Sequence, residues 1–144
     1  MKTDENMKSI VVASIRRHSM AMEEWSYTQL WDSGDVDVKA ELSRTCILET
    51  SELPILYSYI DAENWTLVTT RRVFCSLEGF AGFVFVKDIV DVDHGNFKGY
   101  GGQEVERMQI RTKGEAVLSG PFETGKASMG TIYAVTTIGQ ITEK

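Results

Sequence analysis

The hydrophobic pattern of the chain changes its period at Pro54, and this change constrains the fold more than any other feature. Before Pro54, apolar residues recur at intervals of three and four, as they do on one face of a helix. After Pro54, β-branched and aromatic residues gather in short runs that turn residues separate. The sequence therefore predicts an α+β fold that is mainly β, with a helical N-terminal extension.

Three helices are predicted in the N-terminal part of the chain. The spacing of Met7, Val11, Ile15, His18 and Met22 indicates a helix over residues 5–22. The segment Ser26-Tyr27-Thr28-Gln29 fits a capping box, which predicts a short helix over residues 27–33 that stops at Gly34. Asp37 is expected to cap a third helix that extends towards Cys46.

Seven strands and a final helix are predicted in the rest of the chain. The strands are Ile55–Ile60, Trp65–Thr70, Val73–Leu77, Gly82–Val86, Ile89–His94, Val105–Thr112 and Ala116–Ser119. Most connections are two to five residues long, which favours antiparallel neighbours. The helix Thr124–Ile138 is expected to use Met129, Ile132, Tyr133 and Thr136 as its apolar face and to stop at Gly139. The expected architecture is a curled antiparallel barrel that this helix caps.

The length and the charge limit the organisation and the partners. A chain of 144 residues suits one compact domain, which we divide into a helical extension, residues 1–50, and a barrel with its helix, residues 51–144. The net charge is −6, and the excess of acids lies in the N-terminal part. Nucleic acids and anionic membranes attract clustered Lys and Arg, so neither is an expected partner. The N-terminus shows no apolar signal segment, which predicts a cytoplasmic protein.

The segment Trp65–Phe74, with the sequence WTLVTTRRVF, resembles the strand-turn-strand signature of bacterial pleckstrin-homology-like (PH-like) domains. The preceding segment Leu56–Asp61 and the closing helix are also similar to that family, and the resemblance covers residues 53–140. It implies a seven-stranded barrel closed by a C-terminal helix, and a non-enzymatic module that binds lipid headgroups, peptides or proteins. Lipid-binding members carry a basic loop between their first two strands. Because the turn Asp61–Asn64 is acidic here, phosphoinositide binding is not expected.

No pattern in the sequence predicts catalysis, a cofactor or a metal site. Gly120–Ala127 has the spacing of a phosphate-binding loop, but Ala127 stands where Ser or Thr should bind magnesium, so we interpret it as a helix-entry turn. Asp91 and Asp93 share a strand face that His94 does not, which leaves too few ligands for a metal. Cys46 and Cys75 are expected to be buried free thiols.

Five residues are the candidate partner contacts. Phe97, Lys98 and Tyr100 lie in a glycine-rich loop, 95–102, where aromatic side chains can anchor a partner. Trp25 and Trp31 lie in the acidic N-terminal part and are expected to be exposed. On the sixth predicted strand, Arg107, Gln109, Arg111 and Lys113 form a basic stripe that we expect to face solvent.

These observations favour a PH-like binding module that acts through protein-protein contact, for example by neutralising or scaffolding a basic partner. The alternative is a ligand-binding or enzymatic α+β cone with an apolar pocket formed by Tyr57, Tyr59, Trp65 and Phe85. A third hypothesis is a homo-oligomer in which the apolar face of the N-terminal helix contacts a second copy.

Overall fold

The computed structural model describes residues 2–142 and contains three helices and eight strands in that part of the chain. The helices are α1 (Asp4–His18), α2 (Val36–Thr45) and α3 (Ser128–Ile141). The strands are β1 (Thr28–Leu30), β2 (Pro54–Asp61), β3 (Asn64–Thr69), β4 (Arg72–Leu77), β5 (Phe80–Phe85), β6 (Ile89–Asp93), β7 (Val105–Thr112) and β8 (Val117–Glu123). Within residues 2–142, no helix is long and apolar enough to cross a membrane.

The strands form two antiparallel sheets. Strands β1 to β5 lie in sequence order in a five-stranded sheet, and β6 to β8 lie in sequence order in a three-stranded sheet. Each pair is antiparallel, as the short connections predicted. No strand in the described part of the chain is shared between the two sheets. The confirmed architecture is thus an α+β fold with two antiparallel sheets and a C-terminal helix.

Strand β8 packs across the inner face of the five-stranded sheet. Its Gly120 leaves room for this contact, because a Cβ atom there would lie 2.8 Å from both Cys75 Cβ and Thr66 Oγ1. The Thr66 hydroxyl also donates a hydrogen bond of 2.7 Å to the carbonyl oxygen of Pro121. The main core lies between the sheets and the helices, and Val68, Val73, Met108, Ile110 and Phe122 are among its buried members.

Helix α1 packs against α3, which places Val11 and Ile15 in the main core. The apolar face of α1 is therefore covered by the same chain, and it does not form the free surface that the third hypothesis needs. Helix α3 buries Thr131, Ala134, Val135 and Ile138, whereas Thr136 of the predicted face is exposed. The predicted apolar face of α3 was therefore wrong, because the buried face is rotated from it by part of a turn. The buried face contains small residues, which allow α1 and the sheets to pack closely against α3.

A second cluster covers the outer face of the five-stranded sheet. Leu42 and Cys46, from α2 and its end, pack there against Tyr57, Trp65 and Leu67. Tyr57 and Trp65 are thus packed beneath a helix, while Phe85 borders a separate groove. Within residues 2–142, the four side chains assigned to an apolar pocket are therefore divided between this cluster, which Tyr59 also contacts, and the groove at Phe85.

The predicted helix over residues 27–33 was wrong, because Thr28–Leu30 form strand β1 and only Trp31–Ser33 make a helical turn. The first helix ends at His18 rather than at residue 22, and α2 is capped by Asp35 rather than Asp37. The seven predicted strands are confirmed, and most of their ends differ from the prediction by at most two residues. The last strand continues four residues beyond the predicted Ser119 to Glu123, and β1 is an eighth strand. The last helix continues past Gly139 to Ile141.

Candidate contact surface

Strand β5 is an edge of the five-stranded sheet. It pairs with β4 along one side, and no strand within residues 2–142 pairs with its other side. An edge strand presents N–H and C=O groups that another extended chain can bond. The open side of β5 is therefore a place where a further strand could be added.

The hydrogen-bond register shows which amides face the open side. The Val86 N–H donates a bond of 2.8 Å to the Arg71 carbonyl, and bonded pairs alternate along an antiparallel ladder. Gly82 and Val84 therefore bond β4 in the register of the sheet. By the same alternation, the N–H and C=O groups of Ala81, Phe83 and Phe85 point away from β4.

The side chains of β5 are uncharged, and several are exposed. The strand has the sequence FAGFVF, and Phe80 and Phe83 have exposed fractions of 84% and 48%. Soluble proteins usually protect such edges with charges, proline or a very short strand. Exposed large apolar groups at an unpaired edge are typical of a contact surface.

The other sheet edges carry the protective features that β5 lacks. Strand β1 is only three residues long. Strand β6 contains Asp91 and Asp93, and β8 contains Pro121. The absence of such a feature in β5 distinguishes it from the other three edges.

A buried ion pair contacts the aromatic side chains of β5. The Arg72 guanidinium carbon lies 4.6, 4.8 and 5.6 Å from the ring centroids of Phe74, Phe83 and Phe85. Arg72 Nε donates to Glu52 Oε2 at 3.0 Å, and the side chain of Glu52 is fully buried. Cation–π contacts and this bidentate pair hold the rings in place. We call Ala81, Phe83, Phe85 and the open side of their strand the β5 edge surface.

The environment of Glu52 keeps it charged. Burial alone would raise the pKa of its carboxyl group, but hydrogen bonds from Arg72 and Thr69 outweigh that effect and hold the pKa below its usual range. The charge on Glu52 therefore persists under neutral conditions and fixes the Arg72 guanidinium beneath the rings.

A groove with a volume of about 340 Å³ lies beside the C-terminal end of β5, where Met7, Phe85, Lys87 and Ile141 line it. Arg71 also lines it, but this guanidinium already bonds Asp4 Oδ2 at 3.0 Å and Glu49 Oε1 at 3.1 Å. The Arg71 guanidinium is thus engaged by the chain's own carboxylates.

The five predicted contact residues do not form one surface. Trp25 is only 6% exposed and packs over Gly130, so the expectation that it is exposed was wrong. Trp31 is half-buried and meets Tyr57 edge to face. In the glycine-rich loop, Phe97 packs against the main core.

Lys98 and Tyr100 are exposed, and Tyr100 has an exposed fraction of 72%. The loop is ordered around Asn96, whose side chain bonds both the N–H and the carbonyl oxygen of Tyr100. Tyr100 is thus the most exposed of the five residues, and it lies on a different sheet connection from β5.

The acidic N-terminal side chains are partly compensated within the chain. Asp32 pairs with Lys8 at 3.0 Å, and Glu24 lies 4.0 Å from Lys126. Fewer free carboxylates remain there for a basic partner than the sequence suggests.

The remaining sequence candidates have structural roles in the described residues. Both cysteines are buried, as expected, and burial raises the pKa of each thiol to about 12. Asp91 bonds Arg111, and no group of three or more His, Cys, Asp or Glu within residues 2–142 could hold a metal ion. The basic stripe of β7 is exposed, as predicted. Gly125–Ala127 form the helical turn that leads into α3. Gly120–Glu123 belong to strand β8, so only the second half of the segment Gly120–Ala127 is the helix-entry turn that we predicted.

The β5 edge surface was not among the contacts predicted from the sequence. Phe83 and Phe85 lie in a predicted strand, but their exposure depends on the strand order, which hydrophobic alternation does not reveal. The one available signal was the run of aromatic residues without a charge. Searches against protein-family models, curated proteins and solved structures found no match to this chain.

Proposed function

We propose that this protein is a non-enzymatic, PH-like binding module that acts through protein-protein contact at the β5 edge surface. The observation that carries the proposal is the open, uncharged edge, where the backbone groups of Ala81, Phe83 and Phe85 point outwards beside exposed aromatic rings. The order of strands β2 to β8 followed by α3 supports the PH-like part of the proposal, since it is the order that the sequence resemblance implies.

The proposed mode of binding is strand addition. An extended segment of the partner pairs with β5, and main-chain hydrogen bonds provide affinity while alternate side chains provide specificity. Side chains of the partner that share the outer face meet the rings of Phe83 and Phe85. The partner segment is therefore expected to be apolar at alternate positions.

The rigidity of the surface favours binding. The Arg72 and Glu52 pair orders the rings of Phe74, Phe83 and Phe85 before a partner arrives. A surface that is ordered in advance loses less conformational entropy on binding. Contact through the acidic N-terminal face has less support, because Asp32 and Glu24 already have basic neighbours.

Site-specific photo-cross-linking tests the proposal. A benzophenone amino acid replaces Phe80, which begins β5 and has an exposed fraction of 84%, or the exposed Ala116 as a control, and the protein is irradiated in native lysate. We expect protein adducts at position 80 that are several times more abundant than those at position 116. Equal yields at the two positions, or no protein adduct at position 80 in a folded protein, would contradict the proposed function.

A further inference from the structure

We propose that the chain that pairs with the β5 edge surface is a second copy of this protein, arranged antiparallel about a two-fold axis. This inference rests on the proposed use of that surface. It adds the identity of the partner, the register of pairing and the ion pairs that fix the register.

The register follows from the outward-facing backbone groups. In an antiparallel pair across a two-fold axis, residues opposite each other have their side chains on the same face of the sheet. Two opposite residues whose N–H and C=O groups face each other exchange two main-chain hydrogen bonds. The backbone groups of all three outward-facing residues are hydrogen-bonded when Phe83 lies opposite Phe83 of the second copy. Ala81 of each copy then lies opposite Phe85 of the other.

Side-chain sizes are complementary in this register. The large ring of Phe85 faces the small Ala81 of the second copy, and the two Phe83 rings meet at the axis. Cross-strand aromatic pairs stabilise antiparallel sheets. The exposed part of Phe83, about half of its surface, is thereby covered by an identical ring.

The charges at the two ends of β5 are also complementary. Lys87 lies in the helical turn Val86–Asp88 that follows β5, and Gly79 lies in the turn that precedes the strand. In the symmetric antiparallel pair the end of one β5 lies beside the start of the other, so Lys87 of one copy lies at the same end of the interface as Gly79 of the other. A Cβ atom at Gly79 would lie 3.1 Å from the Glu63 carboxylate, so Glu63 borders this position. Lys87 and Glu63 are both exposed. The symmetric pair therefore brings two Lys87–Glu63 contacts together, one on each side of the axis.

The interface is expected to be of moderate strength. The pairing of one six-residue strand, with its aromatic rings, covers less area than the roughly 1,200–2,000 Å² of a stable complex. We therefore expect a reversible dimer with a Kd of about 1–100 μM.

Two charge reversals test the register without disturbing the core. We expect the variants Lys87→Glu and Glu63→Lys each to weaken self-association by about tenfold or more, because each places like charges together twice. An equimolar mixture of the two variants should dimerise again, since the mixed dimer contains opposite charges at both contacts. The double variant should also dimerise.

Sedimentation velocity over a concentration series measures each of these states, and circular dichroism checks that each variant is folded. A dimeric wild type with weak single variants and a restored mixture would support the inference. A wild type that is monomeric at several hundred micromolar, single variants that dimerise like the wild type, or a mixture that stays monomeric would each overturn it.

The cross-linking experiment separates this inference from the proposed function. A monomeric wild type that forms adducts with a different protein at position 80 overturns the second copy as partner and leaves the proposed function in place. A monomeric wild type that forms no adduct at position 80 overturns both.

Discussion

Glu52 is the single side chain on which the order of the β5 edge surface most depends. Its carboxylate is fully buried and bonds Arg72 and Thr69. Loss of one partner from a buried pair leaves the other charge without compensation. We expect Glu52→Gln to lower the free energy of unfolding by about 2–4 kcal/mol in urea denaturation at pH 7. Glu49→Gln is the matched control, because Glu49 pairs with Arg71 at an exposed position, and a loss of equal size there would contradict this account.

The pKa of Glu52 predicts the direction of the response to acid. The pKa of Glu52 in the folded protein lies below its usual value of 4.5, so the folded protein binds fewer protons at this group than the unfolded chain does. The stability that this group contributes is fully present above the unfolded pKa, and it is lost as the pH falls through the folded pKa. Wild-type stability should therefore fall more steeply below pH 4.5 than that of Glu52→Gln, whereas equal slopes in urea denaturation would contradict the role of Glu52.

Gly120 is required for the close contact between the two sheets. A Cβ atom there would approach Cys75 and Thr66 from inside a packed core. We expect Gly120→Ala to destabilise the protein by about 1–3 kcal/mol through overpacking. The control is Gly114→Ala, since no atom lies within 4 Å of the added Cβ position and the change should be within about 0.5 kcal/mol. Thermal and urea denaturation measure both variants, and similar stabilities would show that the sheets can separate at little cost.

At the scale of the elements, strand β1 depends on a carboxylate at the far end of the chain. Glu123, at the end of β8, accepts hydrogen bonds from the backbone N–H groups of Ser26 and Tyr27 at 2.8 and 2.7 Å. The Thr28 hydroxyl donates a third bond to it at 2.9 Å. A strand of three residues has little stability of its own. Glu123 therefore holds β1 at the edge of the five-stranded sheet.

We expect Glu123→Gln to loosen β1, because an amide group cannot accept all of these bonds. The free energy of unfolding should fall by about 1–3 kcal/mol. Amide hydrogen exchange should become faster at Ser26 and Tyr27 while the amides of β3 keep their relative protection. Glu104→Gln, at an exposed position, is the control. Unchanged exchange at Ser26 and Tyr27 would show that β1 is held by other contacts.

The same contact explains why sequence reasoning predicted the later strands and missed β1. Alternating apolar residues and short turns define β2 to β8 locally, so their positions follow from the sequence. The segment at Thr28 resembles a capping box, but Glu123 and Ser58 bond it across the fold. Contacts between residues about 95 positions apart override a local helix signal and are not visible in a local pattern.

At the scale of the whole molecule, the proposed contact surface was less predictable than the fold. The sequence placed Phe83 and Phe85 in a strand, but exposure at an edge depends on which strands are neighbours. Trp25 has the sequence features of a contact residue, yet its ring lies in the main core and packs against Gly130. Composition identifies which side chains could bind a partner, whereas sheet order decides which of them another chain can reach.

Binding of another chain to the open side of β5 is the central claim. Amide hydrogen exchange by NMR tests it directly, on the free protein and on the protein saturated with the chain that cross-links at position 80. In the free protein, Ala81, Phe83 and Phe85 should exchange rapidly while Gly82 and Val84 are protected by β4. Binding should slow exchange at the three outward amides by about tenfold or more. Exchange at these amides that is equally fast in the free and bound protein would contradict the claim.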